Sequence, residues 1–267
     1  MKKIILTVAG ALVLASCATN PVTGRKSLSL VSNAELMPTA FTQYDKVLKE
    51  GKVITGTTDA KMVQTVGDRL KYAAEKYYQQ KGISSQLQGY QWQFTLLQAN
   101  EVNAWCMPGG KVAVYTGILP VTKDATGLAV VLGHEIGHAL AGHSAEQASQ
   151  QMAAQGLGQI VGGSIGNAEY AKVFEQLYPV GAQVGLLNYS RKMELDADVT
   201  GLYLMAMAGY DPTQAIPFWE RMAAKSGNAG VSEFLSTHPS DATRISKIKE
   251  SLPTAIAYYN ASPYKGK

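Results

Sequence analysis

An excess of charge of one sign is what this sequence most conspicuously lacks. Lys and Arg number 24 against 20 Asp and Glu, a formal net charge of +4, and nowhere do the basic residues form a stripe. That excludes a nucleic-acid partner. The glycine-rich run from Gly156 to Gly166 lacks the Gly-Lys-Ser/Thr ending of a phosphate loop and any strand before it, which excludes a nucleotide site. No internal repeat is present, and apart from a short N-terminal run there is no apolar stretch suited to a membrane. Cysteine is scarce, with only Cys17 and Cys106, and histidine occurs four times. What remains is 46% hydrophobic and 16% charged over 267 residues, an ordinary composition for one folded domain with appendages.

The first 16 residues combine Lys2 and Lys3, an apolar middle containing Val8, Ala9, Leu12, Val13 and Leu14, and the small pair Ala15-Ser16. They read as a secretory signal, too short for a retained spanning helix. Leu14-Ala15-Ser16-Cys17 resembles the lipobox of bacterial lipoproteins, so Cys17 is expected to be acylated and to begin the mature chain. With Cys17 so modified, Cys106 is the one thiol left and no intramolecular disulfide forms. Acyl chains anchor by about 0.8 kcal/mol per buried methylene. Ala18, by resemblance to known sorting rules, points to the outer membrane, so the expected location is its periplasmic face.

Residues 17 to 31 carry turn formers and no helical period, as a tether would. Ser32 and Glu35 match a capping box opening a helix that stops near Gly51, and a second helix is expected from Asp59 to Lys81. Residues 91 to 98 and 111 to 115 read as strands. Between them Asn103 to Gly110 contains Pro108, which suits an exposed sheet edge that an extended peptide could join. A helix capped at Thr122 or Asp124 is expected to run past Gln147. Gly158, Gly162 and Gly166 suit either close helix packing or a flap. A helical stretch from 168 to 207, broken near Pro179, and further helices at 216 to 225 and 241 to 252 complete a mainly helical α+β domain. It would span residues 32 to 255, leaving a C-terminal tail at 256 to 267.

The chemistry concentrates in His134-Glu135-Ile136-Gly137-His138. On a helix, positions four apart lie about 40° apart around the axis, so both imidazoles can reach one metal ion. Glu135 sits beside that ion, where a carboxylate can deprotonate a water that zinc has acidified. The surrounding helix is apolar, and burying these groups costs several kcal/mol unless they are paired or metal-bound.

A catalytic zinc needs a third protein ligand. Position 144 is serine where a metzincin would place its third histidine, and His143 is one residue short, suited to a helix surface or an outer-shell role. Glu194 and Asp198, four apart on a predicted helix, share a face from which Asp196 points away. Glu194 could bind zinc as that third ligand, and Asp198 can accept a hydrogen bond from the outer nitrogen of a ligand histidine.

These motifs, with Asn103-Ala104-x-x-x-Pro108-Gly109-Gly110 before them and Thr237-His238-Pro239 with Arg244 after them, resemble the gluzincin peptidase family that includes HtpX, the CAAX prenyl protease and the mitochondrial Oma peptidases. Within it the chain resembles a periplasmic lipoprotein branch. The resemblance implies a zincin-like fold with a small sheet and an active-site helix, and one Zn2+ per subunit held by His134, His138 and Glu194. It implies Glu135 as general base, with His238 facing the cleft to stabilise the oxyanion and Arg244 supporting it. Asn103, Ala104, Pro108 and Gly109 would bind substrate.

The expected activity is a zinc metalloendopeptidase cutting unfolded or misassembled envelope proteins. The alternative is a lipoprotein chaperone or adaptor that binds such chains, with a structural zinc and little or no cleavage.

Overall fold

The computed structural model describes residues 17–154, 167–177, 189–224, 227, 229–238 and 242–267. The signal segment, the run from Gly156 to Gly166, the break expected near Pro179, and Pro239 lie outside the described residues.

Strands β1 (Cys17–Thr19) and β2 (Lys26–Leu28) pair antiparallel, with Cys17 opposite Leu28. The segment expected as a tether with turn formers opens as a hairpin. Its turn is fixed by Asn20, whose Oδ1 accepts from the backbone N–H of Val22 at 2.8 Å and of Thr23 at 3.1 Å, a local bond that asparagine readily makes.

Helix α1 (Asn33–Glu50) opens with the expected capping box, Ser32 N–H donating to Glu35 Oε2 at 2.8 Å while Ser32 Oγ accepts from Glu35 N–H. β3 (Val53–Ile54) follows. α2 (Thr58–Gln80) begins one residue before the expected start because Thr57 Oγ1 accepts from Ala60 N–H. β4 (Gln93–Leu97), β5 (Ala104–Met107) and β6 (Lys111–Tyr115) complete a four-stranded sheet in the order β3-β4-β6-β5. β4 runs parallel to β6, and the other pairs are antiparallel. β5 stands at the edge, as expected, but all four of its residues are buried. The expectation of exposure was wrong because α3 (Ala125–Leu140) packs against it.

Asp124 caps α3, accepting from Gly127 N–H at 2.8 Å. The helix does not run past Gln147 as expected. It ends at Leu140, and Gly142 with φ +72° takes the left-handed conformation that terminates helices cheaply only at glycine. α4 (His143–Ala154) starts at once. α5 (Asn167–Leu177), α6 (Arg191–Met207), α7 (Ala215–Ala224), α8 (Ala229–Thr237) and α9 (Ala242–Ala261) follow. α9 passes through Pro253 instead of stopping at 252. Buried Ile248 and Ala255 hold it on both sides of the proline, so residues first read as tail are helix as far as Ala261.

Leu128, Leu132 and Ile136 of α3 join Val66 and Leu70 of α2 and Val112 and Val114 of β6 in one core, each buried side chain contributing about 1.5–3 kcal/mol. The architecture is α+β and mainly helical. No helix among the described residues is long and apolar enough to cross a membrane.

Candidate metal centre

Two helices touching backbone to backbone create the site. A Cβ on Gly137 would stand 2.8 Å from the carbonyl oxygen of Ala197, an approach only glycine permits. This sets the His134 and His138 rings of α3 directly against Glu194, in the first turn of α6.

His134, His138, Glu194 and His238 each place one ligand atom within 4.8 Å of the others, and all four are buried. His134 Nε2 lies 3.0 Å from His138 Nε2 and 3.4 Å from Glu194 Oε2, while His138 Nε2 lies 3.4 Å from Glu194 Oε1. Zinc–nitrogen bonds of about 2.0–2.1 Å bring the nitrogens of two ligands to such separations. The outer nitrogens settle the tautomers. His134 Nδ1 lies 3.0 Å from Asp198 Oδ1, so that nitrogen carries the proton and Nε2 turns a lone pair to the centre. His138 Nδ1 is likewise engaged, 2.8 Å from His143 Nδ1. Glu135 Oε1 is buried and accepts no hydrogen bond, while Glu194 Oε2 meets Arg244 Nη1 at 3.1 Å. Converging lone pairs with an orphaned Glu135 oxygen fit a dication, and the nitrogen and oxygen donors fit zinc.

The electrostatics agree. Burial disfavours charge on His134, yet Asp198 and Glu194 raise its pKa to about 9; a bound cation takes the place of that proton. Burial alone would raise Glu194, but charge on His238 and hydrogen bonds from His134 and His138 hold it well below the usual range. Glu135 is raised by burial, with His238 and His134 opposing.

Arg244 is 1% exposed, and its Nε and Nη2 donate to the two Asp198 oxygens at 2.6 Å each. Its Nη1 donates to the His238 carbonyl at 3.2 Å, and the guanidinium lies 4.3 Å from the Trp219 ring centre. It thus orients Asp198 and the His238 backbone together. His238 is buried alongside the other donors. Its Nδ1 lies 3.2 Å from Glu194 Oε1 and 3.3 Å from His134 Nε2, and its Nε2 lies 3.6 Å from Glu135 Oε1. Asn103 leads into β5, Ala104 opens it, and Pro108 and Gly109 form the turn after it, all four buried. Cys17 is exposed on β1.

Tyr189, Thr23 and Arg25 were missed, whereas His143 was expected at a helix surface or in an outer-shell role. Tyr189 stacks on His138, with ring centres 3.9 Å apart and planes at 18°. His143 touches His138 only because α3 ends, and Gly142 was a legible stop signal for that. Asp196 does point away from the Glu194 face, but inward, towards His143, Thr23 and Arg25.

A family model described as Peptidase family M48 matches residues 67–252. The mitochondrial metalloendopeptidase OMA1 of Schizosaccharomyces pombe is 42% identical over 165 residues, 61% of this chain and 48% of that protein. The Homo sapiens metalloendopeptidase OMA1, mitochondrial, is 30% identical over 245 residues, 89% of this chain and 46% of its own length. The beta-barrel assembly-enhancing protease of Yersinia pestis is 31% identical over 162 residues, 57% of this chain and 33% of that protein. The chain spans about half the length, or less, of these relatives. The two OMA1 relatives are named as mitochondrial, which overturns the expected lipid anchor on the periplasmic face of the outer membrane. Cys17, on which that expectation stood, is exposed and opens strand β1.

Proposed function

This chain belongs to peptidase family M48, and from that premise we propose that it is a zinc metalloendopeptidase. The observation that carries the reading is the pairing of three converging ligands, His134, His138 and Glu194, with a buried carboxylate, Glu135, whose Oε1 has no hydrogen-bond partner. Zinc, when bound, supplies a Lewis acid that polarises a peptide carbonyl and lowers the pKa of a water.

Glu135 takes the proton of the attacking water as its oxygen adds to the carbonyl carbon, then delivers it to the departing amine nitrogen as the C–N bond breaks. Burial raises the Glu135 pKa, which makes it a stronger proton acceptor. Asp198, held by Arg244, keeps the His134 lone pair aimed inward. His238, 3.6 Å from Glu135, stands where it can donate to developing negative charge.

The substrates proposed are extended segments of unfolded or misassembled proteins. β5 pairs only with β6 among the described residues; strand addition along its other edge would read backbone rather than side chain and, since all four of its residues are buried, would need what covers that edge to part.

One observation favours a second reading. His238 brings the donor set to four, and four protein ligands usually mark a closed structural site. The protein would then bind unfolded chains without cutting them. Incubating an unfolded protein with wild type, with Glu135→Gln, and with wild type plus chelator separates the two. Cleavage by untreated wild type alone supports the peptidase. If wild type and Glu135→Gln bind zinc and substrate alike and neither cuts, the structural site stands.

A further inference from the structure

We propose that the turn between β1 and β2 is a positioning strap for the metal centre: Thr23 and Arg25 fix Asp196, and Asp196 acts through His143 to hold His138 in the orientation a ligand needs. The proposal rests on the zinc reading above and adds residues far outside the metal-binding helices to it.

Thr23 Oγ1 donates to Asp196 Oδ1 at 2.6 Å, and Arg25 Nε donates to Asp196 Oδ2. The other two nitrogens of the same guanidinium engage Glu146 of α4, Nη1 with Oε1 at 2.9 Å and Nη2 with Oε2 at 2.5 Å. One arginine from a hairpin therefore joins α4 to α6 through two carboxylates whose side chains are 7% exposed. The fork geometry of arginine suits this, since its donors are fixed in one plane.

Both Asp196 oxygens are thus engaged by the strap, and Oδ2 also lies 3.5 Å from His143 Nε2. His143 is 0% exposed, and its Nδ1 lies 2.8 Å from His138 Nδ1. Two ring nitrogens at that distance share one proton. If His138 offers its Nε2 lone pair to a metal, the proton resides on its Nδ1 and His143 Nδ1 accepts it. The remaining His143 proton then sits on Nε2, facing the Asp196 carboxylate. Asp198 does for His134 directly what Asp196 does for His138 through one intervening ring. Glu146 and His143 lie in the first turn of α4, so the Arg25 clamp also fixes where the His143 ring stands.

The test uses the full chain as wild type, Asp196→Asn, Thr23→Val, Arg25→Lys and Arg25→Ala. Zinc dissociation constants are measured by chelator competition, the visible spectrum is recorded with cobalt in place of zinc, and the metal-free proteins are melted. Outer-shell partners of ligand histidines typically change metal affinity by about 10–100-fold. Asp196→Asn is expected to weaken zinc within that range and to shift the cobalt bands. Thr23→Val should do so less, with its metal-free melt unchanged. Arg25→Lys should fall between wild type and Arg25→Ala, since it restores charge but not the fork.

Asp196→Asn and Thr23→Val binding zinc as tightly as wild type, with an unchanged cobalt spectrum, would overturn the strap. So would losses that merely track a lower metal-free melting temperature. Should the Arg25 variants fail to fold, Thr23→Val carries the test, because it preserves side-chain volume. Wild type that binds no zinc is a different result and removes the zinc reading itself.

Discussion

Gly133 of α3 packs on Gly201 of α6 so closely that a Cβ at 133 would stand 2.8 Å from the Gly201 carbonyl oxygen. One turn on, Gly137 meets Ala197 in the same way. The separation of these helices sets the separation of the metal donors, because His134 and His138 follow the glycines on one helix and Glu194 precedes their contacts on the other. Alanine favours helix over glycine by about 1 kcal/mol, but overpacking a tight contact costs about 1–3 kcal/mol. Gly133→Ala is therefore expected to lower the urea midpoint of the metal-free protein and to weaken zinc. A midpoint at or above that of wild type would show that the two helices separate freely.

Asp198 answers to Arg244 on one side and His134 on the other. Arg244 lies 1% exposed, so truncating its partner strands a buried cation. Removing one member of a buried pair costs about 3–5 kcal/mol. The contacts of Arg244 with Glu194 at 3.1 Å and with the Trp219 ring place Asp198→Ala at the lower end of that range. Thermal unfolding should show it, and Asp198→Ala combined with Arg244→Met should recover part of the loss. A double variant no more stable than the single one would mean that the pair is not the source of the cost.

The strongly local features were legible in the sequence: the Ser32–Glu35 box, the four-residue spacing of His134 and His138, and that of Glu194 and Asp198. Each is decided within one or two helical turns. What escaped depends on residues distant in the chain. Arg25 meets Glu146 and Asp196 across 121 and 171 positions, and no periodicity encodes such a pairing. The buried edge of β5 was misread because Pro108 speaks for backbone geometry and not for the helix laid against the strand. His238 was assigned to the cleft by resemblance, while its closeness to Glu194 follows from α8 delivering it beside Arg244.

Tyr189 tests whether stacking steadies a ligand. Its ring lies 3.9 Å from that of His138 and nearly parallel to it, and aromatic pairs contribute about 0.5–1.5 kcal/mol beyond burial. Tyr189→Phe keeps the face and should bind zinc as wild type does. Tyr189→Ala should weaken zinc by about 2–10-fold, which is that energy expressed as affinity. Chelator competition checks both, and equal affinity for the two variants would exclude stacking as the cause.

Binding and chemistry should separate at Glu135. Zinc at 100 times its dissociation constant stabilises the folded state by about 2.7 kcal/mol, so chelation should lower the melting temperature of wild type. Glu135→Gln leaves His134, His138 and Glu194 in place, so its melt should respond to zinc as wild type does, while His138→Gln should lose most of the response. The same variant has a second signature without metal. Burial raises the Glu135 pKa above 4.5, so the ionised form opposes folding. That penalty is absent below the ordinary pKa and grows as the pH rises through the raised one. Metal-free Glu135→Gln should accordingly melt no lower than wild type at neutral pH, with the difference vanishing in acid. A marked loss of stability or of zinc response in Glu135→Gln would make Glu135 a structural element of the centre instead of its base.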